Sequence, residues 1–307
     1  MKRIKAGWGL TKKSWALLNS HRELIRFPLY GALVTIPLAI IFGGPGLYLL
    51  DQKSYGGAIP ILVVGVYVLS VVGFYFAVGL AAAANQIFQG KEATVSDGLA
   101  VARRRFPEIC GWAALSTAIG LLMALLENQG GSLGEIAARL VGLAWALVTF
   151  MAVPVLAIEG PGPFTTLKRS GQIFKQKWGQ QITGNIAIGG AIGLLAILPA
   201  GILIGVGIAL WSKSGAAAVV LILVGAVIMC VALLISKALS GVFGVALYRY
   251  AVNGEAVTTL REFYTRLWAL GSAGVDVPLT LKSRDITFDV TLKSVDRAKM
   301  MRAPKLH

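Results

Sequence analysis

The sequence predicts an all-α membrane protein with six transmembrane helices, arranged as three repeats of a cytoplasmic amphipathic helix plus a transmembrane hairpin, with a small C-terminal cytoplasmic β-hairpin. Three observations predict this: six long apolar runs, a basic segment ahead of every second run, and a one-sided distribution of Lys and Arg. The runs cover roughly residues 29 to 50, 58 to 85, 110 to 126, 138 to 158, 182 to 211 and 215 to 248. A helix rising about 1.5 Å per residue crosses ~30 Å of hydrocarbon in about 20 residues, so most of the runs are long enough. With 56% hydrophobic and 14% charged residues, little mass is left outside a bilayer, since soluble domains carry about 25% charge.

The net charge of +15 points to a membrane surface and excludes nucleic acid because of where the cations fall. Residues 1–28 hold 7 Lys and Arg, 86–109 hold 4, 159–181 hold 4 and 249–307 hold 10. The opposite loops hold only Lys53, Arg139 and Lys213, and Lys237 falls within the sixth run. The positive-inside rule then places both termini in the cytoplasm. Seven basic residues precede the first run, so the reading is an uncleaved anchor rather than a signal peptide.

In chain order, the N-terminal segment has an apolar stripe of Trp8, Trp15, Leu18 and Ile25 beside Lys12 and Lys13. The first span follows, and Gly43, Gly44, Pro45 and Gly46 predict a break in it, either an outer-edge loop or backbone facing a cavity. After the second span, Val95, Leu99, Ala102, Phe106 and Ile109 share one helical face, with Arg103, Arg104 and Arg105 around the rest. Thr94 with Asp97, and Thr259 with Glu262, have capping-box spacing. Pro154 predicts a kink near the end of the fourth span. The third amphipathic segment aligns Phe164, Leu167, Gly171, Phe174 and Trp178, with Lys168, Arg169, Lys175 and Lys177 on its flanks.

In the fifth span, Gly189 with Gly193 and Gly201 with Gly205 have the small-xxx-small spacing that lets helices approach closely, and Pro199 predicts a kink between the pairs. A fourth amphipathic segment follows the sixth span, with Leu260, Phe263, Tyr264, Leu267 and Trp268 beside Arg261 and Arg266. The four segments are entered by GxxxT motifs at Gly7–Thr11, Gly90–Thr94, Gly162–Thr166 and Gly254–Thr258, which supports an internal repeat. Alternation at Val275 to Leu281 and Ile286 to Leu292 predicts the hairpin. The domain reading is a membrane domain over 1–270, a hairpin over 271–295 and a disordered basic tail over 296–307.

Chemistry-bearing motifs are absent from the sequence. His21 and His307 are the only histidines, and no HExxH, GxSxG or intramembrane aspartate pair occurs. Cys110 and Cys230 fall in apolar runs, where packing is their expected role. Glu127 and Glu159 sit at span ends, Lys237 can snorkel to the interface, and Asn85 and Asn185 read as helix-packing hydrogen bonds. No catalytic residue, metal ligand set or cofactor is therefore expected.

The order of basic helix and two spans, with Ala157-Ile158-Glu159-Gly160 leading into Leu167-Lys168-Arg169-Ser170 and then Lys177-Trp178, resembles a group of uncharacterised six-helix bacterial membrane proteins. That group is similar to the membrane domain attached to some glycerophosphodiester phosphodiesterases. The resemblance covers roughly residues 5 to 270 and implies a bacterial cytoplasmic membrane; it carries over no activity, because no catalytic phosphodiesterase domain accompanies it.

The expected function is that of a non-enzymatic membrane protein that organises lipids or supports a membrane complex. The alternative is a transporter or channel for a lipidic or weakly charged substrate. Lys12, Lys13, Arg103, Arg104, Arg105, Lys168 and Arg169 are the expected contacts to anionic lipid, at about 1 kcal/mol per basic residue near a charged surface. The basic helices can lie in the interface or form a floor packed beneath the bundle. A membrane protein partner or a second copy of the chain is the other expected contact.

Overall fold

The computed structural model of the chain describes residues 2–129, 131–212, 214–253, 274, 276–283 and 286–293. Two compact units result, Met1–Ala251 and Val252–His307. The fourth amphipathic segment, the boundary at 270 and the tail from 296 lie outside the described residues.

The helices are α1 (Lys2–Ser20), α2 (Arg26–Asp51), α3 (Tyr55–Phe88), α4 (Val95–Arg104), α5 (Phe106–Gln129), α6 (Gly131–Thr149), α7 (Ala152–Ile158), α8 (Pro163–Ile192), α9 (Leu198–Leu210) and α10 (Gly215–Asn253). Six stretches among them are long and apolar enough to cross a membrane: Arg22–Asp51, Tyr55–Phe88, Phe106–Glu127, Ala138–Ile158, Ile188–Leu210 and Gly215–Val252. Along these stretches large apolar side chains stay exposed, as at Leu33 (61%), Ile40 (68%) and Leu195 (77%). So much contiguous apolar surface is untenable in water, and lipid is the solvent that fits it.

Glycines set how closely neighbouring spans approach. In the α2–α3 hairpin, a Cβ on Gly46 would lie 2.5 Å from Leu62 Cδ2 and one on Gly65 would lie 2.6 Å from Phe42 Cβ. Each helix thus drops a side chain into a glycine notch of the other. In the α9–α10 pair the notches are Gly207, against Ile222 and the Ala218 carbonyl, and Gly225, against Ile204 and the Ala200 carbonyl. The expected packing glycines differ: a Cβ at Gly189, Gly193, Gly201 or Gly205 meets nothing within 4 Å. Spacing selects a helix face, and Ala200 and Gly207 belong to the face that α10 covers, whereas the two expected pairs do not.

Prolines account for two of the irregularities, and one expected break does not occur. α2 runs unbroken through Gly43, Gly44, Pro45 and Gly46, because the glycine at 46 is held against Leu62 and the proline costs a single backbone hydrogen bond. The fourth span does break, at residues 150 and 151 between α6 and α7, where Pro154 cannot donate to the carbonyl four residues back. In the fifth span a π turn at Gly193–Ile197 precedes Pro199, which takes an early position in α9. The wider turn accommodates the ring and the missing donor.

The buried core gathers at one end of the spans, the end carrying α1, α4 and the start of α8. It contains Leu18, Leu24 and Phe27, Val78 with Leu80 to Ala84, Ala102, Ile109, Trp112, Met151 to Ala157 apart from half-buried Val153, and Ala238 to Tyr248 of α10 in part. α1 packs on α8, and α4 packs on α3. The basic helices therefore cover the bundle with one face, in keeping with a floor. Where α4 crosses α3 the fit is tight and one of the contacts is to backbone: a Cβ on Gly98 would sit 2.5 Å from the Gly79 carbonyl oxygen and 2.6 Å from Phe27 Cζ.

The floor's buried faces differ in part from the expected stripes. α1 buries Ser14 and Leu18, while Trp8 and Trp15 are half exposed; the Ser14 hydroxyl donates to the Leu10 carbonyl at 2.9 Å, which satisfies it inside. α8 buries Thr166, Ser170 and Ile173 and leaves Phe164 74% exposed. Phe106 is also exposed, edge-on to Tyr75. Small hydroxyl residues that bond back to their own or a neighbouring backbone allow closer packing than aromatic rings would. The side chain of Trp178 lies outside the described part of α8.

The three GxxxT motifs among the described residues take three different conformations. Gly7–Thr11 is interior to α1; Gly90 is left-handed (φ 79°) and Thr94 caps α4; Gly162 caps α8, with Thr166 in its first turn. At α4 the capping box forms, with the Asp97 carboxylate accepting from the Thr94 backbone at 2.9 Å and the Thr94 hydroxyl oxygen accepting from the Asp97 backbone at 3.2 Å. The Thr94 hydroxyl and backbone hydrogen bonds hold the Asp97 carboxyl below its ordinary pKa. A lowered carboxylate pKa contributes stability above the ordinary Asp range and loses it as pH falls through the lowered value. Melting temperature is accordingly expected to fall on acidification through that window, and Thr94→Ala is expected to flatten this dependence; equal pH profiles for the two proteins would contradict it.

In the second unit, β1 (Asp276–Ser283) and β2 (Ile286–Lys293) pair antiparallel, with Val277 opposite Leu292 and Leu281 opposite Phe288. Val277 is buried and Leu292 is exposed.

Candidate functional site

Several polar side chains of the first unit bond to one another at the floor. α7 ends at Ile158, and the chain turns through Glu159, Gly160, Pro161 and Gly162 into α8. Gly160 is left-handed (φ 64°), a conformation that lets the chain reverse within four residues. The Arg105 side chain lies across it: a Cβ at Gly160 would fall 2.0 Å from the guanidinium carbon. Arg105 is the residue between α4 and α5, so this contact ties the second floor segment to the third.

Glu159 holds the turn. Its Oε1 accepts from Arg169 Nε at 2.9 Å and from the Tyr248 hydroxyl at 2.6 Å. One carboxylate oxygen thereby joins α7, α8 and α10. The hydrogen bond to Glu159 raises the Arg169 pKa above its ordinary value, so this guanidinium stays charged. Beside this, Arg249 donates from Nη1 to Asn85 Oδ1 at 3.0 Å, linking α10 to the end of α3. The Ser170 hydroxyl donates to the Val148 carbonyl of α6. Asn85 thus has the packing role its position suggests. Tyr248 and Arg249 are the residues that sequence reasoning passed over, and the available signal was a tyrosine and an arginine ending an otherwise apolar run.

The seven cations expected to meet lipid fall into two groups. Lys12, Lys13, Arg103, Arg104 and Lys168 are exposed. Arg169 is engaged with Glu159, and half-buried Arg105 lies over Gly160. The ammonium of Lys12 stands 5.9 Å from the Trp8 ring centroid, so α1 presents a mixed aromatic and basic face outward, the composition favoured at a headgroup boundary.

The cluster has the character of a structural clamp with a charged exterior. His21 Nδ1 lies 3.0 Å from Ser20 Oγ, a contact at the end of α1. Among the described residues no group of three His, Cys, Asp or Glu side chains could hold a metal ion. Glu108 keeps one buried carboxylate oxygen without a partner among those residues; it stands in the first turn of α5, where free backbone N–H groups favour negative charge.

Residues 57–258 match a family described as a family of unknown function, DUF6159. The match starts at the head of α3 and extends past α10, so it takes in the Glu159 turn and every residue bonded to it. It brings no link to the membrane domains of glycerophosphodiester phosphodiesterases, and that part of the resemblance falls away. No curated protein matches the chain.

Proposed function

The chain belongs to the DUF6159 family of unknown function, and we propose that it is a non-enzymatic integral membrane protein that organises anionic lipid at the cytoplasmic face of a bacterial inner membrane. The observation that supports this reading most is the division of labour on the floor helices. One face of α1, α4 and α8 packs on the bundle, and Lys12, Lys13, Arg103, Arg104 and Lys168 project from the other. Each exposed cation near an anionic surface adds about 1 kcal/mol of attraction, and this falls off within a Debye length of about 8 Å at physiological salt.

Two tests follow. Wild-type protein in phosphatidylglycerol nanodiscs is expected to melt higher than in phosphatidylcholine, and molar salt should shrink the difference. Changing all five exposed cations to Gln should abolish it. An unchanged lipid dependence in that variant would count against the reading. For sidedness, Ser54→Cys, between α2 and α3 on the side opposite the floor, should react with an impermeant thiol reagent in intact cells; reaction only after lysis would reverse the topology.

A further inference from the structure

We propose that a groove between the end of α1, the turn leading into α2, and α10 is a stoichiometric site for one acyl chain of an anionic phospholipid whose phosphate rests on Arg22. The proposal deepens the lipid-organising reading above and rests on it. The groove measures about 230 Å³ and is lined by Trp15, Leu18, Asn19, Arg22, Ile25 and Ile235. Its walls are Leu18, Ile25 and Ile235, and its polar groups, Asn19 and Arg22, stand together.

Two features commit the groove to this occupant. The first is depth. The first membrane-spanning stretch begins at Arg22, and Ile235 lies 20 residues after Gly215, where the sixth stretch starts, about one hydrocarbon thickness of ~30 Å along that helix. The groove therefore straddles the boundary where a headgroup meets its acyl chain, and half-exposed Trp15 is a residue type suited to that level. The second is charge. Among the described residues Arg22 is the only charged one that lines the groove; it is exposed, and the one hydrogen bond it makes among those residues runs from Nη2 to Asn19 Oδ1 at 3.4 Å. A guanidinium has five N–H donors, so this bond leaves enough for a bidentate contact to phosphate. The volume is smaller than the 300–1,000 Å³ typical of a pocket enclosing a whole small ligand. It suits part of one chain, with the remainder of the lipid in the bilayer.

Native mass spectrometry of the full chain, supplied with equal phosphatidylglycerol and phosphatidylcholine, tests this. The wild type is expected to retain one phosphatidylglycerol in preference to phosphatidylcholine. Retention should fall about tenfold, equivalent to about 1.4 kcal/mol, in Arg22→Gln, which removes the phosphate contact, and in Ile235→Trp, which fills the groove. Because Arg22 is exposed, its variant keeps the test valid even where the bulky one disturbs folding. The variant lacking the five exposed floor cations should keep the bound lipid. Equal retention by wild type and Arg22→Gln, or no preference between the two lipids, would overturn the site. Loss of the lipid from the five-cation variant with retention in both groove variants would place it on the floor cations and overturn the groove while leaving the broader reading intact.

Discussion

Gly98→Ala is expected to lower stability by about 2–3 kcal/mol, the upper range for overpacking a tight interior. The added methyl would meet the Gly79 carbonyl oxygen at 2.5 Å and Phe27 Cζ at 2.6 Å. The phenyl ring can turn aside, but the carbonyl belongs to the α3 backbone, so α4 itself must move outward. Phe27→Ala is itself costly because the ring is fully buried, so the double variant should lose less than the sum of the two single losses, by only part of the Gly98→Ala loss. Melting of the two single variants and the double variant in detergent checks this, and a neutral Gly98→Ala would show that the crossing of α4 over α3 is looser than described.

Trp112→Ala should cost about 3–5 kcal/mol, the range for deleting a large buried aromatic. Trp112 is 1% exposed, its ring stacks on Trp145 at 6.0 Å with planes 9° apart, and Phe74 meets it edge-on at 6.4 Å. The indole thus joins α3, α5 and α6 at the level of the buried core. In a bilayer, lipid tails solvate apolar side chains as well as protein does, so the loss reports mainly packing and dispersion. Trp112→Phe should recover a large part of it, since an aromatic surface remains for Trp145 and Phe74. Equal loss in the Ala and Phe variants would show that something other than packing decides the residue at 112.

Much of the fold is legible because its strongest determinant is local. A run of apolar residues long enough to span hydrocarbon needs no tertiary information, and each of the six stretches overlaps its run, with bounds that differ by at most seven residues. The Thr94 and Asp97 box and the irregularities near Pro154 and Pro199 are legible for the same reason: each depends on side chains within one turn. The failures share an opposite origin. Gly189, Gly193, Gly201 and Gly205 have the same spacing as a packing face, but which residue of the fifth span faces a partner depends on how that span is rotated against α10, and Ala200 and Gly207 hold that position.

The stripes erred in the same way. Periodicity identifies an arc of α1 that contains Trp8, Trp15 and Leu18, while the residues that α1 buries are Ser14 and Leu18. The Glu159 clamp was hidden by distance in sequence. Arg169 is 10 residues from Glu159, and Tyr248 is 89, so nothing short of the fold brings them to one oxygen. The exposed cations, by contrast, were visible as charge, and only the separation of Arg105 and Arg169 from the other five required coordinates.

The most direct measurement is the composition of lipid that leaves the membrane with the protein when both are excised together in polymer nanodiscs at low salt. A floor that gathers anionic lipid should leave it enriched around the wild type relative to the bulk membrane, with bulk composition around the variant in which Lys12, Lys13, Arg103, Arg104 and Lys168 are changed to Gln. Identical lipid composition around the two proteins would contradict it.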